Sequence, residues 1–247
     1  METLAKYFDH YVISARIKPS FFVVLPIALT TLAWWPEVQE FGGAIMAFLL
    51  AFGVIGFLSN WVSNRGNRMQ TRLFSKWGGA PTTLLLRHSD SKLDDYSKQR
   101  YHQNLEGRIN GLSLPTRQEE LADPRCADAR YESATNFLRE NTRDKKKYPM
   151  IYTDNVAYGY ARNLLALRDL GLVSAVVAVT VNTTFLVGGA EVLTTQRLFH
   201  NWAGLGALSV SAIFLFIFLF IVNERHVYWR AIRYAKSLLA ACEHKSL

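Results

Sequence analysis

Two cysteines in 247 residues, Cys126 and Cys242, are too few for a disulfide framework and have no metal-ligand spacing, which removes stapled secreted domains and zinc modules. Also missing are a phosphate-cradling glycine loop, an HxxxH pair and a nucleophile elbow. There is no internal repeat, low-complexity tract or flexible linker, and strand-like patterning is confined to "TLLLRH" and "MIY". The most informative absence is charge. Phe21–Trp35, Phe41–Val62, Leu170–Ala190 and Leu198–Val222 contain no Asp, Glu, Lys or Arg.

About 20 apolar residues cross a hydrocarbon layer as a helix, so the last three stretches qualify outright and the first is short. Pro26 interrupts that first stretch, but proline is tolerated in membrane helices where neighbours take the freed carbonyl, and Trp34 and Trp35 suit an interface. A buried or re-entrant segment is the alternative for it. A secretory leader fits poorly, because the run ends in tryptophan and leads straight into a second span.

Lys and Arg number 3 in residues 1–20, 19 in 63–168 and 5 in 223–247, against one, Arg197, outside these segments. Cations are retained on the cytoplasmic side, so both termini and the middle segment are expected there, in a bacterial inner membrane. The outer links then carry Glu37, Glu40, Glu191 and Arg197. The expected architecture is an all-α membrane protein. It comprises an interfacial helix (1–19), transmembrane helices 1–2 (20–62), a mainly helical cytoplasmic domain (63–168), transmembrane helices 3–4 (169–222) and a basic tail (223–247).

Leu4, Phe8, Tyr11 and Ala15 form the apolar face of the first helix, which should stop at Pro19 and lie on the inner surface or pack on the protein itself. The second span runs without a breaker to Gly78-Gly79, a helix-closing pair. Further helices are predicted over "LDDYSKQRYHQNLEGRI", after a Thr116/Glu119 capping box, from Asp123-Pro124 to about Asn141, and from a cap at Asp154 into the third span. The fourth span should continue uninterrupted into "NERHVYWRAIRYAKSLLAACEH", whose apolar face (Val227, Ala231, Tyr234, Leu238, Ala241) packs on the domain or whose basic face meets anionic lipid.

No ionisable group lies in the spans, which disfavours proton relays and gating-charge helices, and the two halves are unlike each other, against an inverted-repeat transporter. Small-residue strips (Gly43, Ala47, Ala51; Gly204, Ala207, Ser211) allow close helix approach within the chain or between subunits. In "VTVNTTF", Thr180, Asn182, Thr183 and Thr184 either bond to another helix or line a hydrated path. Four spans rarely enclose a wide pore, so a pore implies a homo-oligomer.

Residues 63–168 hold 19 basic and 12 acidic side chains, net +7. Arg87, Arg143, Lys145, Lys146 and Lys147, with Trp77 and Tyr148 as stacking surfaces, are the candidate contacts for a nucleotide or nucleic acid. Acidic lipid, or solvated charge alone, explains the same run. His88, Asp90, Asp94, Asp95 and His102 are close in sequence and could form a metal or acid-base cluster, but without a supporting motif no catalytic or metal site, and no enzyme, is expected. No cofactor is expected.

"SKWGGAPTTLLLRHSD", "GLSLPT", "TRDKKKYP" and "NVAYGYARN" resemble segments of an uncharacterised family of bacterial four-helix inner-membrane proteins, over residues 70–170. No chemistry attaches to those motifs. More loosely, the layout is similar to membrane effectors of anti-phage systems such as the Hailong type, in which a nucleotidyltransferase partner makes a nucleic-acid signal controlling a channel. That similarity implies an oligomeric channel gated by a cytoplasmic sensor and transfers no residue roles. The alternative is a membrane-anchored enzyme or adaptor whose cytoplasmic domain acts on, or recruits, a partner protein.

Overall fold

The computed structural model describes residues 10–35, 60–188 and 201–244, and among these every regular element is helical. Helix α1 spans His10–Trp34, α2 covers 60–77, and α3 to α7 are Pro81–Leu86, Asp95–Arg108, Arg117–Ala122, Pro124–Asn141 and Pro149–Ala166. Then come α8 (Arg168–Val187), α9 (Trp202–Ile221) and α10 (Glu224–Ala240). Two compact units result: described residues up to Met69 with Gly159–His226, and Gln70–Tyr158 with Val227 onward.

The first is the membrane unit. α1, α8 and α9 are long and apolar enough to cross a bilayer, and they pack against one another. The expected second span, with Gly43, Ala47 and Ala51, lies outside the described residues except for its last three positions, which open α2. The outer links lie outside them as well.

Pro19 does not stop α1. Proline lacks the N–H that would bond to Ala15 four residues earlier, and the Asn163 side-chain amide donates to that carbonyl instead, at 2.6 Å. The preceding turn, Ile13–Ile17, is π-helical, with the Lys18 N–H on the Ile13 carbonyl. The described part of the expected interfacial helix is therefore the first turns of α1. Gly204, Ala207 and Ser211 are buried on α9, where a Cβ on Gly204 would meet the Trp34 ring at 2.6 Å.

The fourth span does not run straight on. α9 ends in a π segment, Ile217–Ile221, Val222 is extended, and the Asn223 side chain accepts from the His226 N–H at 2.9 Å to begin α10 afresh.

The second unit is a helical module. α2 closes as predicted at Gly78-Gly79: the Gly79 N–H reaches the Phe74 carbonyl at 2.8 Å and the Gly78 N–H the Ser75 carbonyl at 3.4 Å, with Gly78 at φ 84°. The Thr116/Glu119 capping box opens α5, and Asp123 caps α6 through the amides of Arg125 and Cys126. "TLLLRH" is not a strand. Pro81 starts a short helix that buries Leu84, Leu85 and Leu86, and "MIY" lies in the first turn of α7.

Asp154 is not a cap either, because α7 begins five residues earlier. It is 4% exposed inside the helix, where it pairs with Arg233 at 2.9 Å and accepts from Ser237. α10 belongs to this core, not to a free tail. Ile232, Ala235, Leu238 and Leu239 pack with Leu86, Leu105, Tyr131 and Leu138, each fully buried leucine contributing about 1.5–3 kcal/mol.

Candidate functional site

The basic turn before α7 is organised by Asp144. Its carboxylate accepts from the backbone N–H groups of Lys146 (2.8 Å) and Lys147 (3.3 Å), and these bonds hold it below the ordinary carboxylate range. Arg143, Lys145, Lys146 and Lys147 are all exposed around it. Lys145 lies over the Tyr152 ring at 5.1 Å and Lys147 over Tyr148 at 5.3 Å.

The other three expected contacts serve the fold. Tyr148 is 4% exposed and sits in the core beside His244, so its ring offers no open stacking face. Trp77 is half-buried against Phe74 and Tyr228, at 6.0 and 5.0 Å between centroids. Arg87 forks onto Asp128 at 2.8 and 2.6 Å and donates to the Gly78 carbonyl at 2.9 Å, tying the glycine turn to α6. Its guanidinium is already matched by a carboxylate, which raises its affinity for the proton.

The acid-base candidates are likewise engaged locally. The Nε2 atoms of His88 and His102 face the carbonyls of Pro115 and Leu86, both at 2.9 Å, the geometry of a ring N–H donor. Burial lowers the His102 pKa. Asp94 caps α4, Asp90 binds the Lys92 amide and ammonium, and Asp95 is exposed beside Lys98. No group of three His, Cys, Asp or Glu able to hold a metal occurs among the described residues.

Beside them lies a buried carboxylate that no motif in the sequence marks, Glu120. Glu120 is 7% exposed and accepts from the His88 and Ser89 N–H groups (2.8 and 3.2 Å), the Ser89 hydroxyl (3.0 Å) and the Tyr131 hydroxyl (2.8 Å). Burial alone would raise its pKa; the bonds from His88, Tyr131 and Ser89 outweigh it and lower the value.

In the membrane unit the polar groups converge on residues 163–171, where α7 passes into α8 through a break at Leu167 (φ −101°, ψ 0°). Asn163 is fully buried. It holds the carbonyl of Ala15 in the π turn of α1, and α2 approaches so closely that a Cβ on Gly66 would lie 1.9 Å from its side-chain oxygen. Arg168 donates to the carbonyls of Phe218 (2.9 Å) and Leu219 (3.1 Å) in the π segment of α9, and the Phe218 ring fills the space a Cβ on Gly171 would need. One connector thus grips both π segments. Its signal in the sequence was a lone Asn amid the apolar residues of "ARNLLALR".

"VTVNTTF" splits. Asn182 is fully buried: its amide donates to the Thr30 hydroxyl (2.8 Å) and the Ala178 carbonyl (2.7 Å), and its oxygen accepts from the Trp34 indole (2.8 Å). The inter-helix alternative is therefore the one realised at this residue. Thr180, Thr183 and Thr184 are exposed, with Thr180 and Thr184 bonded to their own helix at 2.9 Å. Compared with known proteins, the chain matches no family model, no curated protein and no solved structure.

Proposed function

We propose that the protein is a homo-oligomeric channel of the bacterial inner membrane, gated by a cytoplasmic helical module that senses an anionic ligand of the nucleotide or nucleic-acid class. A role as an anti-phage effector is part of this reading and rests on the resemblance in layout. The observation that carries it is the connector. α7 begins in the module and ends at Asn163–Ala166, and Asn163 with Arg168 just beyond its end holds the π segments of two membrane helices by side-chain-to-carbonyl bonds. A ligand that prefers one position of α7 would thereby favour one arrangement of the spans. The ligand's contacts are assigned to Arg143, Lys145, Lys146 and Lys147, and the path to the face bearing Thr180, Thr183 and Thr184.

The test is conductance of the purified full chain in planar bilayers, with and without short oligonucleotides and cyclic nucleotides. Current that appears or disappears with ligand, and loses that dependence in Asn163→Ala or Arg168→Gln, supports the reading. Silence from a monodisperse oligomer under every condition overturns it.

The bonding of Asn182 within the chain favours a second reading, in which the spans only anchor a module that recruits a partner protein. Function retained after replacing the spans with unrelated anchors would select it.

A further inference from the structure

The membrane unit contains an apolar groove of about 310 Å³, walled by Val23, Val24 and Ile27 of α1, Trp61 of α2, and Leu170 and Val173 of α8. Its two hydroxyls are already satisfied: Ser20 donates to the Arg16 carbonyl at 3.0 Å and Ser174 to the Val23 carbonyl at 2.6 Å. The wall therefore selects hydrocarbon. The rim is cationic. The Arg65 guanidinium lies over the Trp61 indole of the wall, 4.6 Å from its centroid. This cation is not ion-paired to a described residue. Around this end of the unit, in residues 10–20, 60–69, 159–169 and 217–226, the described cations are Arg16, Lys18, Arg65, Arg68, Arg162, Arg168 and Arg225, against the carboxylates of Asp169 and Glu224.

We propose that this groove is a binding site for one anionic glycerophospholipid, with an acyl chain against the apolar wall and the phosphate held by Arg65. The volume is at the low end of ligand pockets, about 300–1,000 Å³, and suits a single hydrocarbon chain. A helix from a second copy, about 10–12 Å across with its side chains, is too wide for it. Free phosphate would gain nothing from the wall. The basic rim separates an anionic from a zwitterionic headgroup by net charge, and the tryptophan places the site at the interfacial depth where indole rings and phosphates both reside. The proposal does not depend on channel activity.

Native mass spectrometry of the full chain in mild detergent tests it, using equimolar phosphatidylglycerol and phosphatidylcholine with identical acyl chains. The anionic lipid should be retained over the zwitterionic one by about fivefold, the scale expected of one basic group at a headgroup. Arg65→Gln should reduce its retention to that of phosphatidylcholine, whereas Lys18→Gln, on the opposite face of α1, should not. Val173→Phe, which fills the groove, should lower retention of both lipids, whereas Val187→Phe, on the same helix outside the groove, should change neither. Excess inorganic phosphate should not displace the lipid. Equal retention of the two lipids, a preference that survives Arg65→Gln, retention unaffected by Val173→Phe, or displacement by phosphate would each overturn the assignment. Size exclusion and helical circular dichroism establish that every variant compared is folded.

Discussion

The two units of this protein expose different kinds of residue. Among the described residues 21 large hydrophobic side chains are exposed, of which 17 belong to the membrane unit, from Phe21 to Ile221, and four, Tyr96, Leu121, Met150 and Trp229, to the module. Inside the membrane unit are Ser14, Ser20, Thr30, Asn163, Ser174, Asn182 and Ser211, with Arg162 the one buried charge among its described residues, whereas the module buries leucines around the charged Glu120, Lys98 and Asp154. Hydrocarbon solvates apolar surface as well as a protein interior does, so the membrane unit gains cohesion from close approach and from hydrogen bonds between helices. The module gains it from removing apolar area from water.

The largest test of that contrast is Gly171→Leu. A Cβ at this position already falls 2.3 Å from the Phe218 ring, and a bulky side chain would force α8 and α9 apart, at about 3 kcal/mol or more. Hydrogen exchange resolved by peptide should show α1, α8 and α9 losing protection while α4 and α6 keep theirs. Equal loss in both units would mean that they do not derive their stability separately.

Glu120→Ala attacks the other unit. It leaves the Tyr131 hydroxyl and two amides without their acceptor, for an expected loss of about 2–3 kcal/mol confined to the module. Acid should act in the same place. Glu120 has a folded pKa below its ordinary 4.5, so its stabilisation is present above that pH and is lost as pH falls through the lowered value. His102, whose folded value is depressed below 6.5, loses its contribution in the same direction but starting nearer neutrality. Glu120→Gln should flatten the lower part of the acid-unfolding curve and His102→Gln the upper part. A curve identical to wild type in both variants would exclude these groups as the acid-sensitive ones.

Asn182→Ala should have a smaller effect, about 1 kcal/mol, because hydrogen bonds between membrane helices are individually modest. Thr180→Val should be close to neutral, since its hydroxyl bonds only within α8. Thermal melts of the detergent-solubilised protein would distinguish the pair, and a Thr180 effect equal to that of Asn182 would mean that the threonine face is buried in an assembly.

Local signals in the sequence foretold the helices well: Thr116 with Glu119, Asp123 with Pro124, and Gly78-Gly79 each act within one turn, and the structure realises all three. Long-range partnerships were hidden. Pro19 reads as a stop until Asn163, 144 positions later, supplies the missing donor, and Asp154 reads as a cap until Arg233 and Ser237 of α10 arrive beside it. The candidate ligand residues divide by the same rule. Lys145 to Lys147 were legible because a charge run beside Asp144 stays exposed, whereas Arg87 and Tyr148 were claimed by partners far along the chain, Asp128 and His244.

The smallest expected change in stability is also the sharpest test of function. Replacing Arg143, Lys145, Lys146 and Lys147 with Gln alters no buried group and keeps the Asp144 turn, whose bonds come from backbone amides. Both units should melt as in wild type. Ligand binding should fall in proportion to the charge removed, and the salt dependence of whatever binding survives should become shallower, because fewer counterions are released per complex. Retained affinity with an unchanged salt slope would assign this run to solubility and membrane orientation. In that case the search for the ligand would turn to the other exposed cations of the module, beginning with the Arg233–Lys236 face of α10.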